Sequence, residues 1–313
     1  LNQLFIPVIA GKKAATYSIS GNVFDGVANV ADVTVALGAF SAITDASGNF
    51  TISAIPAGTS GNLTATKTGY LFTAIAIAAM TGSLTAYNFI SPWWLYGGIN
   101  PSVCAAAYQP LGAADLAASY VNLTGNAAYN AADGTAPTFN AATGWTFNGS
   151  SQYLKTGVII DSYDWGFFTR FTDGLTTDVR AIAGARIGAS GDKRFNIFPS
   201  LSGVTYYSNG AALAIAASSF TYGVLGLSKN HGYANGVAVA GTIGTGTAIA
   251  NIENYIGGVN IDGTASYLWA GKVQAHVIYN AEITAVQALA VSTAMAALPY
   301  TAINQTYSSE IGV

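Results

Sequence analysis

The sequence predicts an all-β chain: two tandem β-sandwich domains and one short helix near the C-terminus. Three observations predict it. Short runs in which large and small or polar residues alternate recur along the chain. Clusters of Gly, Asn, Asp and Ser separate them. Helical periodicity is nearly absent until residue 284. A length of 313 residues favours two domains over one.

The elements can be justified in order. The apolar segment Leu4-Phe5-Ile6-Pro7-Val8-Ile9 lies in residues 1–16. It reads as an edge strand, where Pro is tolerated, or as an arm that adds to a neighbouring copy by strand augmentation. The first domain spans residues 17–91. In Tyr17-Ser18-Ile19-Ser20-Gly21-Asn22-Val23 the large residues alternate, with Gly21 as a gap. Val33-Thr34-Val35-Ala36-Leu37, Phe50-Thr51-Ile52 and Leu63-Thr64-Ala65-Thr66 alternate too. Each run is about five residues, an ordinary strand length.

Between them, Thr44-Asp45-Ala46-Ser47-Gly48-Asn49-Phe50 looks at first like a calcium loop. A helix-loop-helix calcium site needs oxygen ligands at alternate positions and a closing glutamate. The first glutamate in this chain is Glu253. Asp45 is therefore expected to cap its own turn and Gly48 to supply a positive φ, making a hairpin hinge. Phe50 and Ile52 then point into the sandwich.

The boundary falls at Ser91-Pro92-Trp93-Trp94, with residues 92–103 as a junction. No charged residue occurs between Lys67 and Asp115, so the junction is expected to be packed, with Trp93 and Trp94 between the domains. The second domain spans residues 104–299. Trp145 and Phe147 alternate with polar residues, placing one face in a core. Asn148-Gly149 and Asn235-Gly236 are hairpin dipeptides, because both residues tolerate positive φ. Thr284-Ala285-Val286-Gln287 is a capping box. An Ala-rich helix follows to Leu298 and stops at Pro299, leaving residues 300–313 as a polar tail.

Composition narrows the function. Charged residues make up 8%, against about 25% in an average soluble protein. The surface must then rest on hydroxyls and amides, which suits an assembled or externally displayed protein. Net charge is −3, and 11 Lys plus Arg are scattered, so no nucleic-acid partner is expected. No run of 18 apolar residues occurs, so no membrane span is expected. The chain opens at Leu1 without a Met or a signal-type segment, as either a mature or a partial product would. Cys104 is the one cysteine, so no intrachain disulfide forms, and it is expected to be a small buried apolar residue. His231 and His276 lack zinc spacing, and His276 is expected to be a satisfied sheet residue. The sequons at Asn49, Asn62, Asn122, Asn148 and Asn304 are what chance yields in so Asn-, Ser- and Thr-rich a chain.

Two stretches carry family resemblances. Ile19-Ser20-Gly21-Asn22-Val23, Val30-Ala31-Asp32-Val33-Thr34-Val35, the Thr44–Phe50 turn, Ile55-Pro56-Ala57-Gly58-Thr59 and Lys67-Thr68-Gly69-Tyr70 occur in an order that resembles the carboxypeptidase regulatory-like family. That resemblance implies a small transthyretin-like or Ig-like sandwich acting as a binding or spacer module. Gly144-Trp145-Thr146-Phe147-Asn148-Gly149 through Leu154, Tyr233-Ala234-Asn235-Gly236, Tyr255-Ile256-Gly257-Gly258, Gly271-Lys272-Val273-Gln274 and Ile278-Tyr279-Asn280-Ala281-Glu282-Ile283-Thr284 resemble the laminin-G-like, concanavalin A-like jelly roll. Such domains are two curved antiparallel sheets that often bind sugars or proteins.

The chemistry is sparse. Sugar cleavage by a pair of carboxylates finds no pair at strand spacing among Glu253, Glu282 and Glu310, and Asp161 and Asp164 sit in a loop. The chain is therefore expected not to be an enzyme, with no catalytic residue. Gln152 and Gln274 stand where a jelly-roll calcium site would want carboxylates, so no cofactor is expected. A calcium ion on backbone carbonyls with Asp262 or Asp173 is the one exception left open. Aromatic side chains stack on sugar rings and also fill cores. Trp145 reads as core, whereas Tyr163 and Trp165 beside two aspartates, and Tyr206 and Tyr207 in a turn-rich stretch, are the candidate ligand-binding residues.

These readings converge on a non-enzymatic structural and adhesive surface protein at a virion surface or outside a cell. The form expected is a tailed-phage decoration or fibre component, and the alternative is a bacterial carbohydrate-binding adhesin. Its partners would be copies of itself, other virion or surface proteins, and cell-surface glycans.

Overall fold

The computed structural model describes residues 14–175, 179–188, 193–201, 203–241, 243 and 251–298. The expected arm at residues 4–9, the stop at residue 299 and the tail at residues 300–313 lie outside the described residues. The chain is all-β with one short helix near its C-terminus, as the sequence predicts. It divides into two compact units, Leu1–Ser91 and Pro92–Val313.

The first unit is a sandwich of seven strands among the described residues: β1 (Thr16–Phe24), β2 (Thr34–Leu37), β3 (Phe40–Ile43), β4 (Asn49–Pro56), β5 (Gly61–Thr66), β6 (Ile75–Ile77) and β7 (Phe89–Ile90). One sheet runs β4-β1-β7 and the other β3-β2-β5-β6. Strand alternation sends Ile19, Val23, Val35, Leu37, Phe50, Ile52 and Leu63 into a shared core. On β4 the alternation slips, since Phe50, Ile52 and Ile55 are the buried residues. A bulge explains it. The β1–β4 register shifts between Tyr17 and Ile19, and Ala54 takes φ 59°. The extra residue turns Ile55 back into the core.

The Thr44–Phe50 turn has the local chemistry expected of it. Asp45 Oδ1 accepts hydrogen bonds from the amides of Ser47 (2.8 Å) and Asn49 (2.9 Å), and Gly48 has φ +74°. Its role differs from the expected hairpin. The strands it joins, β3 and β4, belong to different sheets, so the turn carries the chain across the sandwich. Thr44 anchors the crossing: its hydroxyl accepts from Val33 N (2.9 Å) and donates to Val30 O (2.8 Å). An Asx turn fixes a reversal of direction but not the strand that the chain pairs with afterwards.

The second unit has two larger sheets. In the first, the strand order is Thr138–Asn140, Gly144–Asn148, Ala270–Tyr279, Gly166–Thr172, Gly223–Ser228, His231–Ala234 and Val237–Ala238. Ala270–Tyr279 also pairs with Cys104–Tyr108. The second sheet is ordered Ala211–Ser218, Val204–Asn209, Arg194–Leu201, Ala183–Arg186, Ile252–Ile256, Tyr153–Ile160 and Ala132–Thr135, with Val259–Ile261 and Thr264–Ser266 attached. The inner faces enclose Trp145, Phe147, Leu154, Phe167, Phe171, Phe195, Ile197, Ile256 and Trp269. Burying each phenylalanine contributes about 2–3 kcal/mol.

Asn148-Gly149 repeats the lesson of the first unit. Asn148 Oδ1 accepts from Ser150 N, Ser151 N and Gln152 N, and Gly149 has φ +71°. Yet Gly144–Asn148 and Tyr153–Ile160 lie in different sheets, so the expected hairpin is again a crossing. Asn235-Gly236 is a true hairpin, with Ala234 paired to Val237 and both turn residues at positive φ.

The helix Ala285–Ala296 starts with the predicted capping box between Thr284 and Gln287. Ala288, Val291 and Met295 cover the outer face of the first sheet, against Phe168, Val224, Ala275 and Val277. Arg170 Nη1 donates to the carbonyls of Met295 (2.7 Å) and Leu298 (3.2 Å), satisfying the helix end. Trp93 belongs to this cluster, and its Nε1 donates to Gln109 Oε1 at 2.8 Å. Trp93 thus has its described packing inside the second unit.

Two stability outcomes follow. A Cβ on Gly21 would meet Tyr87 O at 1.9 Å, closer than any side chain tolerates. Gly21→Ala should lower the stability of the first unit by about 2–4 kcal/mol, read as an earlier thermal transition with that of the second unit unmoved. His276 is fully buried on the inner face, its Nδ1 2.8 Å from Thr169 Oγ1. Burial pushes its pKa down to about 3. The folded state therefore resists protonation that the unfolded chain accepts near pH 6.5. The stability this gives is complete above about pH 6.5 and is lost towards pH 3, at up to about 1.4 kcal/mol per pH unit. His276→Gln should flatten the change in urea midpoint between pH 7 and pH 4, and an unaltered slope would refute the assignment.

Candidate functional site

A recess of about 610 Å³ in the second unit forms where three segments meet. One wall is Pro101, Ser102, Cys104 and Ala105, at the start of the strand Cys104–Tyr108. The second is Thr124, Asn126 and Tyr129. The third is Asp161, Ser162 and Trp165, between the strands Tyr153–Ile160 and Gly166–Thr172, and Asn280 closes the rim.

Asn122 holds the first two walls together. It is 1% exposed. Its Oδ1 accepts from Ala107 N (3.0 Å) and Thr124 N (3.1 Å), and its Nδ2 donates to Ala105 O (3.2 Å) and Asn126 O (3.1 Å). All four hydrogen-bonding positions of the amide are used, which excludes glycosylation of this sequon in the folded chain. Tyr108 Oη adds a bond to Tyr129 O at 2.5 Å.

The third wall is equally fixed. Trp165 is only 7% exposed and its ring lies in the core, but its Nε1 donates to Asp161 Oδ1 at 2.9 Å. Ser162 Oγ accepts from Asp164 N at 3.2 Å. Asn209 Nδ2 donates to Tyr163 O (2.8 Å) and Lys229 O (2.9 Å), tying the loop to the neighbouring sheet. Lys229 Nζ pairs with Glu282 (2.8 Å) and Asp164 (3.3 Å), and those hydrogen bonds, Glu282's first, raise its pKa.

Of the sequence candidates, Trp165 lines the recess and Tyr163 is half-buried in the same loop without lining it. Tyr206 and Tyr207 lie elsewhere, within the strand Val204–Asn209 rather than in a turn. Tyr207 is fully buried, and its hydroxyl donates to Tyr233 O at 3.1 Å. Tyr206 packs on Ala181, Phe198 and Val259. Strand alternation separates the two rings, and a pair of adjacent tyrosines cannot share one face.

Ser102, Thr124, Asn126, Tyr129 and Asn280 escaped the sequence reading. None of them stands out in the sequence; Asn122 and the Tyr108 hydroxyl tie the second wall to the strand Cys104–Tyr108, and Asn280 N donates to Val103 O at 2.9 Å.

The recess offers hydroxyl and amide groups, one carboxylate and two aromatic side chains. Thr124 Oγ1 is buried there without a hydrogen-bond partner. Burial drives the Cys104 thiol far up, so it is no nucleophile at neutral pH. Among the described residues no group of three or more His, Cys, Asp and Glu could hold a metal ion. Asp173 is paired with Lys272 Nζ at 2.5 Å, and both oxygens of Asp262 accept from Gly188 N, at 3.2 and 3.0 Å.

No protein-family model and no curated protein matches the chain. Similarity to solved structures is at the level of fold. Domain 4 of an extracellular arabinanase from Geobacillus stearothermophilus, in complex with arabinotriose, is 16% identical, with a TM-score of 0.44 over 61% of this chain and 98% of that one. The carbohydrate-binding module of a Ruminococcus gnavus sialidase is 15% identical, with a TM-score of 0.34 over 43% and 84%. A mutant Trypanosoma rangeli sialidase displaying trans-sialidase activity is 14% identical, with a TM-score of 0.46 over 85% of this chain but only 45% of the sialidase. The expectation that the chain is not an enzyme is corrected by these matches, which include glycoside hydrolases. It rested on a missing carboxylate pair, a test that applies to one catalytic geometry.

Proposed function

We propose that the second unit is a carbohydrate-binding module and that the recess around Trp165 is its binding site. The observation that carries the reading is the recess lining: Ser102, Asn126, Ser162 and Asn280 bring hydroxyls and amides beside Trp165 and Tyr129. Polyhydroxylated ligands are recognised by such groups together with aromatic surface. The rigid loops keep the ordering cost of binding small.

In this proposal the first unit is a spacer of the carboxypeptidase regulatory-like kind, and the setting is extracellular. Display on a tailed-phage virion is its narrower form, supported by the 8% charge, which leaves little repulsion between packed copies. Symmetric copies on a capsid or filament would favour that setting, and a monomer retained by glycans would favour a bacterial adhesin.

The site is tested by glycan-array binding of the intact chain and of two variants. Asn126→Ala with Asn280→Ala removes two polar groups and should weaken binding about tenfold, at roughly 0.5–1.5 kcal/mol for each lost hydrogen bond. Ser102→Trp should fill the recess and abolish retention. Unchanged melting would show that both variants fold, and full binding by both would place the site elsewhere.

A further inference from the structure

We infer that the recess selects neutral glycans and rejects those ending in a carboxylate sugar, an inference that rests on the carbohydrate reading above. The argument is electrostatic. Asp161 is the one charged residue among the described lining residues, and no lysine, arginine or histidine accompanies it. Its Oδ1 is fixed by the Trp165 indole, so the carboxylate cannot swing out of the site without breaking that bond. The basic group beside the same loop, Lys229, is committed to Glu282 and Asp164.

A sialic or uronic acid would thus bring a second carboxylate beside Asp161 with no cation to offset it. Proteins that bind such anions do so with arginine or lysine forks. Here selectivity comes from the repulsive element. A neutral sugar meets only hydroxyl and amide partners, and the Asp161 carboxylate accepts hydrogen bonds from its hydroxyl groups.

The test uses the intact chain on a printed panel of neutral plant, bacterial and animal oligosaccharides. Each stands beside a counterpart carrying a terminal sialic or uronic acid. Retention of neutral members at least tenfold above their acidic counterparts is expected. The ratio should shrink as salt rises, because screening weakens repulsion between partly exposed charges. Asp161→Asn, which keeps an oxygen to accept the Trp165 bond, should also move the ratio towards one. Equal or stronger retention of acidic members would overturn the inference and leave the carbohydrate reading standing. A ratio unmoved by both salt and Asp161→Asn would overturn it as well. Retention of no glycan of either kind would overturn both.

Discussion

Every backbone polar group that a sandwich buries must find a partner, and strands supply partners only along their length. At the turns, the short side chains of Asn, Asp and Thr do the same task here. Thr44 and Asp45 complete the crossing in the first unit, and Asn148 completes one in the second. Asn122 serves four backbone groups at once. With charges at 8% of residues, the chain relies on these short polar side chains more than on ion pairs. That dependence links fold to site. The same short polar side chains that close turns also form most of the recess lining.

This economy explains what the sequence revealed. Alternation identified the buried residues well, because a strand's period of two is set by the backbone itself: Ile19, Val35, Phe50, Trp145 and Phe147 all point inward. The helix was legible because a capping box is a local device. The two Asx turns were legible as turns but not as crossings. The residue pattern at Asp45 or Asn148 is complete within a few positions, whereas sheet membership depends on strands far along the chain. The bulge at Ala54 was hidden for a related reason, since nothing about an alanine announces a positive φ.

The site was partly legible. A tryptophan and two aspartates in one loop drew attention to Asp161–Trp165, and that loop does line a recess. Two further walls come from segments with no aromatic or charged cluster except Tyr129. Tyr207 shows the opposite case. Aromatic density was read as display, but the strand Val204–Asn209 places Tyr207 wholly inside. Aromatic content alone does not separate a core from a contact surface, since both gain from the same apolar area.

The strand Ala270–Tyr279 has a consequence for how the second unit is made. It joins Gly144–Asn148, Gly166–Thr172 and Cys104–Tyr108 into one sheet. Those three strands leave the ribosome well before the one that unites them. Until it emerges, they lack their shared neighbour and their apolar faces remain without a finished core. Assembly is therefore governed by contacts distant in sequence, which slows folding and exposes unpaired edges to other chains. Completing Ala270–Tyr279 is therefore the step that closes this sheet's exposed edges.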